Sequence, residues 1–169
     1  MNAHALVACL LVSSFAAAEP KPPKITSKTT ALYPSKSCKV KVAGGEGQDP
    51  VLRCPALKGF DIEVSFSATD TLVTITGGTQ PITFSGLVGP TLEWRLARGK
   101  PFALLVELGI SDTDEDGRPI NRNPHVEVID LAGTRQEVPI IGTKPAGKKA
   151  AWVKARALTD AKVAWARPD

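Results

Sequence analysis

Histidine, cysteine and aromatic residues are scarce in this chain: 169 residues hold 2 His, 3 Cys, 3 Trp, 1 Tyr and 5 Phe. His4 falls in an apolar amino-terminal stretch, so the rest of the chain has only His125 and no histidine cluster for a metal ion. No Gly-x-Ser-x-Gly elbow positions a serine, and no phosphate loop or dinucleotide fingerprint occurs. Sparse aromatics and scattered basic residues argue against nucleic acid as a partner. After residue 18 no apolar run approaches the ~20 residues of a membrane span, so no transmembrane segment is expected. These absences point away from an enzyme and from any cofactor other than the calcium considered below.

What is present begins with an export signature. Residues 5–15 are apolar and lead into Ala16-Ala17-Ala18, an A-x-A pattern before Glu19, so residues 1–18 read as a signal peptide. A rival reading takes Leu6-Val7-Ala8-Cys9 as a lipobox with Cys9 lipidated, but too few residues precede Cys9 for both a polar and an apolar region. The expected location is periplasmic or secreted. Signal removal takes Cys9 away and leaves an even pair, Cys38 and Cys54. In an oxidising compartment that pair is most simply a disulfide, worth on the order of 3 kcal/mol for a loop of about 16 residues. The formal charge of +4 arises outside residues 1–18 and suits either plain solubility or residence near anionic envelope polymers and headgroups.

Residues 19–31, rich in Pro, Lys and Thr, are expected as a flexible segment ahead of a single domain over residues 32–169. Period-two alternation then marks strands. Phe60, Ile62, Val64 and Phe66 share one face, against Asp61, Glu63 and Ser65. Val40 and Val42 point inward in a strand paired with Val51-Leu-Arg-Cys54, the two tied by the cysteines. The longest pattern sets Leu92, Trp94 and Leu96 against Thr91, Glu93 and Arg95. After a turn it continues through Phe102, Leu104, Val106 and Leu108, with apolar residues on both faces. Such a strand belongs in the middle of a sheet with its back covered. Over residues 148–165 the period becomes helical: Ala151, Ala155, Leu158 and Trp165 share one arc, while Lys149, Arg156 and Asp160 lie opposite. The helix is the natural cover. The expected fold is α+β, a mostly antiparallel β-sheet of hairpins with one C-terminal α-helix packed on it and one disulfide.

Few residues suggest chemistry. Asp112-x-Asp114-x-Asp116-Gly117 has the spacing by which carboxylates converge on calcium. Asn123 stands where an EF-hand carries its bidentate glutamate, Pro119 replaces a small aliphatic residue, and strands flank the loop. The alternatives are a weak calcium site completed from elsewhere and a solvated acidic loop within residues 111–124. Trp94 and Arg95 are candidate binding residues, since Trp and Arg dominate interface hot spots, although parity places Trp94 with the core. Glu93 and Glu107, on facing strands, are the pair a dispersed hydrolase site would use, but as outward carboxylates opposite Arg95 or a lysine they read first as ordinary sheet-surface charges. His125 opens a strand as a lone surface histidine.

Arg53-Cys54-Pro55, the run from Gly89 through Glu93-Trp94-Arg95-Leu96, and Gly99-Lys100-Pro101-Phe102-Ala103-Leu104 together resemble small exported bacterial proteins to which no activity is attached. The resemblance spans residues 38–108 and implies domain limits, not chemistry. In size, export and single disulfide the chain also resembles periplasmic lysozyme inhibitors, without their sequence signatures, an analogy at the level of fold. The reading is an exported, non-enzymatic binding or inhibitory module whose partner is an envelope protein or polymer. A calcium-stabilised structural envelope protein and a hydrolase with a dispersed carboxylate site are the alternatives.

Overall fold

A computed structural model describes residues 23–32, 36–45, 49–67, 70–116, 119–142 and 144–165. The elements follow as β1 (Ile25–Ala31), β2 (Lys39–Val42), β3 (Val51–Cys54), β4 (Asp61–Phe66), β5 (Thr71–Thr76), β6 (Ile82–Gly86), β7 (Thr91–Ala97), β8 (Lys100–Thr113), β9 (Pro119–Asp130), β10 (Arg135–Pro139) and α1 (Pro145–Trp165). Strands β2 to β6 form one antiparallel meander. Strands β7 to β10 form another, and β1 joins its β7 edge.

Alternation assigns the two faces of each sheet. Ile62, Val64, Val73, Ile75, Ile82 and Phe84 of the first sheet meet Leu92, Trp94, Leu96, Leu104, Val106 and Ile129 of the second in one buried core. Trp94 is wholly buried there; its indole N–H donates to Thr30 Oγ1 at 2.9 Å, and its ring sits 4.9 Å from that of Phe60. The opposite faces of β8, β9 and β10 present Leu105, Val126, Val128 and Val138, which pack beneath Ala151 and Ala155 of α1. The small alanines let the helix approach the sheet closely. The architecture is therefore three layers, sheet on sheet with the helix on the second sheet, in keeping with the expected antiparallel α+β fold. Cys38 and Cys54 form the disulfide, with Cα atoms 4.1 Å apart, beside the paired residues Lys39 and Arg53.

Several expectations are corrected. Residues 25–31 are not a spacer but strand β1, registered on β7 from Ile25↔Ala97 to Ala31↔Thr91. The segment buries little beyond Thr30, so its apolar content gives no warning; β-branched threonines and a free sheet edge are sufficient. Residues 1–22, with the signal-peptide and Cys9 readings, lie outside the described residues. Val40 and Val42 are exposed, because β2 is a short edge strand whose register shifts between them. The long polar loop of residues 111–124 is largely the far end of the β8–β9 hairpin, paired out to Thr113↔Pro119. The helix starts at Pro145 rather than residue 148; proline suits a first turn, where its missing N–H has no helical partner to lose. Where the chain crosses from the first sheet to the second, Leu87 N–H donates to the Gly109 carbonyl at 2.9 Å. Gly86 (φ +123°) sits so close that a Cβ there would collide with the same carbonyl oxygen.

Candidate functional site

The layer between α1 and β7 is built from charge. On β7 the face opposite Trp94 carries Glu93 and Arg95, which are 2% and 6% exposed. Arg156 grips the Glu93 carboxylate through Nε (3.0 and 3.2 Å) and Nη2 (2.7 Å), and Ser27 of β1 donates its hydroxyl at 2.6 Å. Arg95 reaches Ser27 and Asp160, with Glu93 at 3.4 Å. The match follows from element geometry: two strand residues advance about 6.7 Å and four helical residues about 6.0 Å. An acid and a base at i and i+2 on β7 therefore line up with a base and an acid at i and i+4 on α1.

Burial pushes the Glu93 carboxyl upward. The hydrogen bonds from Arg156 and Ser27 and the charges of Arg156 and Arg95 outweigh it and hold Glu93 below its ordinary 4.5. The hydrogen bond and charge of Glu93 raise Arg156 in turn, against a smaller desolvation. A carboxylate saturated this way is a locked anion rather than a proton donor. Arg95 Nε is buried without a hydrogen-bond partner, a local cost of fitting one guanidinium to three acceptors.

Other helix cations also meet the acids of the sheet: Lys148 pairs with Glu107, and Lys162 approaches Asp130 at 3.8 Å. Lys149 and Lys154, with Lys144 just ahead of the helix, have no carboxylate within ion-pair distance among the described residues and are exposed. Two open grooves flank the helix start. One, of about 410 Å³, lies between α1 and the β1–β7 edge and is lined by Thr29, Thr91, Lys149, Trp152 and Arg156, the Arg156 guanidinium standing 5.6 Å from the centre of the Trp152 ring. The other, of about 780 Å³, runs from the helix start over the end of the β8–β9 hairpin and is lined chiefly by Ile120, Pro124, Ile140 and Lys144. Pro145 and Lys148 belong to both.

The residues singled out in the sequence fare unevenly. Trp94 and Arg95 are buried, so neither is a surface anchor: Trp94 fills the core, and the helix covers Arg95. Glu93 is not an outward surface charge, and Arg156 and Asp160 do not face away from the sheet, since both turn back onto β7. Glu93 and Glu107 open into different grooves, each with its own cation. In the acidic turn, Asp112 pairs with Arg122 at 2.7 Å, and the Asp116 N–H donates to Asp114 Oδ1 at 3.0 Å. Gly117 lies outside the described residues, among which no three His, Cys, Asp or Glu side chains gather as metal ligands. His125 donates through Nδ1 to the Asn123 carbonyl at 2.8 Å. It edges a cleft of about 340 Å³ where the buried Glu127 pairs with Arg135, which also ties the β6 carbonyl of Thr83.

No family model, curated protein or solved structure matches the chain. No helix among the described residues is long and apolar enough to cross a membrane. The groove residues Lys144, Pro145 and Trp152 were not singled out in the sequence. A signal was available: α1 holds five cations and one acid, an excess equal to the formal charge of the whole chain.

Proposed function

We propose that the protein is an exported, non-enzymatic binding module whose ligand surface is the helix layer, and that its ligand is anionic. The observation that carries this reading is the coincidence of the charge excess with the grooves. After Lys148, Arg156 and Lys162 are matched to sheet acids, Lys144, Lys149 and Lys154 remain, and the first two stand at the grooves beside the helix start. A cationic rim around a concave, partly apolar surface favours capture of an anion. The disulfide and the A-x-A pattern support a place outside the cytoplasm.

The test uses dextran sulfate as a general polyanion and unmodified dextran as its neutral control. Retention on dextran sulfate should fall about tenfold when Lys149 and Lys154 are both changed to Glu, and change little for Lys39→Glu with Lys58→Glu, which lie away from the helix layer. Equal losses in the two double variants would show a diffuse charge effect and sink the assignment of a binding face.

A further inference from the structure

The larger groove is two-ended. Its floor is aliphatic, with Ile120 and Pro124 on β9 and Ile140 on the segment leaving β10, which is held down by its N–H to the Pro124 carbonyl at 2.8 Å. The floor exists because the helix stops short. Pro145 opens α1 over Glu107 and the middle of the sheet, while the β8–β9 hairpin continues to Thr113 and Pro119 with its helix-side face uncovered. The charged groups collect at the helix end, where Lys144 and Lys148 stand on the rim; at the hairpin end the one polar side chain is Asn121. Glu107 is already matched by Lys148, so the charge left over there is that of Lys144. The first helical turn contains no acidic residue, which leaves its amide end electropositive and adds to the lysine.

We infer that this groove binds a single-chain anionic amphiphile, a long-chain carboxylate, with its alkyl chain along Ile120, Pro124 and Ile140 and its carboxylate at Lys144. This rests on the proposed helix-layer binding surface and names its ligand class. The argument is complementarity at both ends. A volume of about 780 Å³ falls in the range of small-molecule sites. A lining that is mostly carbon rewards chain length, and the cation at one end fixes polarity. An acidic glycan would use hydroxyl and amide partners along its whole length, and this lining offers one side-chain amide, Asn121, among its aliphatic groups.

The experiment is calorimetric titration of the full chain with octanoate, decanoate and dodecanoate below their micelle-forming concentrations, with dodecyltrimethylammonium as the probe of opposite charge. One saturable site is expected, tightening about two- to fourfold per added methylene, since the open groove buries each methylene only in part. Lys144→Glu, on an exposed side chain, should weaken dodecanoate about tenfold, and Ile120→Asn should flatten the dependence on chain length. Dodecyltrimethylammonium should bind at least tenfold more weakly than dodecanoate. Equal binding of the two amphiphiles, no dependence on chain length, or an unaltered Lys144→Glu variant would each overturn the proposal. Absent dodecanoate binding with retained dextran sulfate binding would overturn this ligand class alone; loss of both would overturn the helix-layer reading as well.

Discussion

Removing the Glu93 carboxylate should unfold this protein far more readily than removing a surface charge. Glu93 and Arg95 side chains are 3% and 7% exposed, whereas the Arg156 side chain is 44% exposed and can hydrate when its partner goes. Deleting one member of a buried pair costs about 3–5 kcal/mol. Asp160 still holds Arg95 after the change, so the lower end, about 3 kcal/mol, is expected for Glu93→Ala. With a urea m-value of about 2 kcal/mol/M the midpoint would fall by about 1.5 M. The comparison is Lys41→Ala, which breaks an exposed pair with Glu63 and should cost about 0–1 kcal/mol.

The pH dependence follows from the lowered pKa. Glu93 is below its ordinary value in the folded state, so its stabilisation is fully present above the unfolded value near 4.5 and is lost as pH falls through the folded value. Wild type and Glu93→Gln should therefore differ most near pH 7 and converge below pH 4.5. Urea midpoints for Glu93→Ala and Lys41→Ala that agree within error, or a gap between wild type and Glu93→Gln that widens in acid, would refute the network as a source of stability.

Two other outcomes are open to direct measurement. Reduction of Cys38–Cys54, or replacement of both cysteines by serine, should cost about 3 kcal/mol and lower the melting temperature by about 10 °C; a loss under ~1 kcal/mol would mean that β2 and β3 hold their pairing without the bond. Melting in millimolar calcium, magnesium and chelator checks the acidic turn. An unchanged melting temperature is expected of an Asp112 already paired with Arg122, and a calcium-specific rise abolished by Asp112→Asn would place an ion there instead.

The strands that build the core were plain in the sequence because residues facing it recur with a period of two. Ile62 and Val64 alternate with more exposed residues, Leu92 and Trp94 with the charged Glu93 and Arg95, and Leu104 and Val106 with Leu105, which faces the helix. The cover over Leu105 was legible too, since an apolar residue on the second face of β8 has to meet something. Strand β1 was not, because an edge strand held by backbone hydrogen bonds needs no apolar face. Nor was the fate of Glu93, Arg95, Arg156 and Asp160. Hydropathy treats a charged residue as outward, and only the match between two strand steps and four helical steps shows that these four neutralise one another inside. The grooves were hidden for a related reason: they arise from where the helix begins relative to the end of a hairpin, a tertiary fact that no local pattern encodes.

The charged layer also joins the two ends of the described fold. Ser27 lies 68 positions before Arg95, and Asp160 lies 65 after it. Each meander closes through neighbouring hairpins, but β1 and α1 must both find β7 across these spans, and contacts of long sequence separation form late and slowly. Until both arrive, Glu93 and Arg95 keep their water, so their desolvation falls on the last step of folding. Substitutions here should accordingly speed unfolding while leaving the refolding rate nearly unchanged, and a Glu93→Gln chevron displaced mainly on its refolding limb would instead put the closure of the layer at the start. In kinetic terms the layer is a latch, set after the barrel of the lock is built.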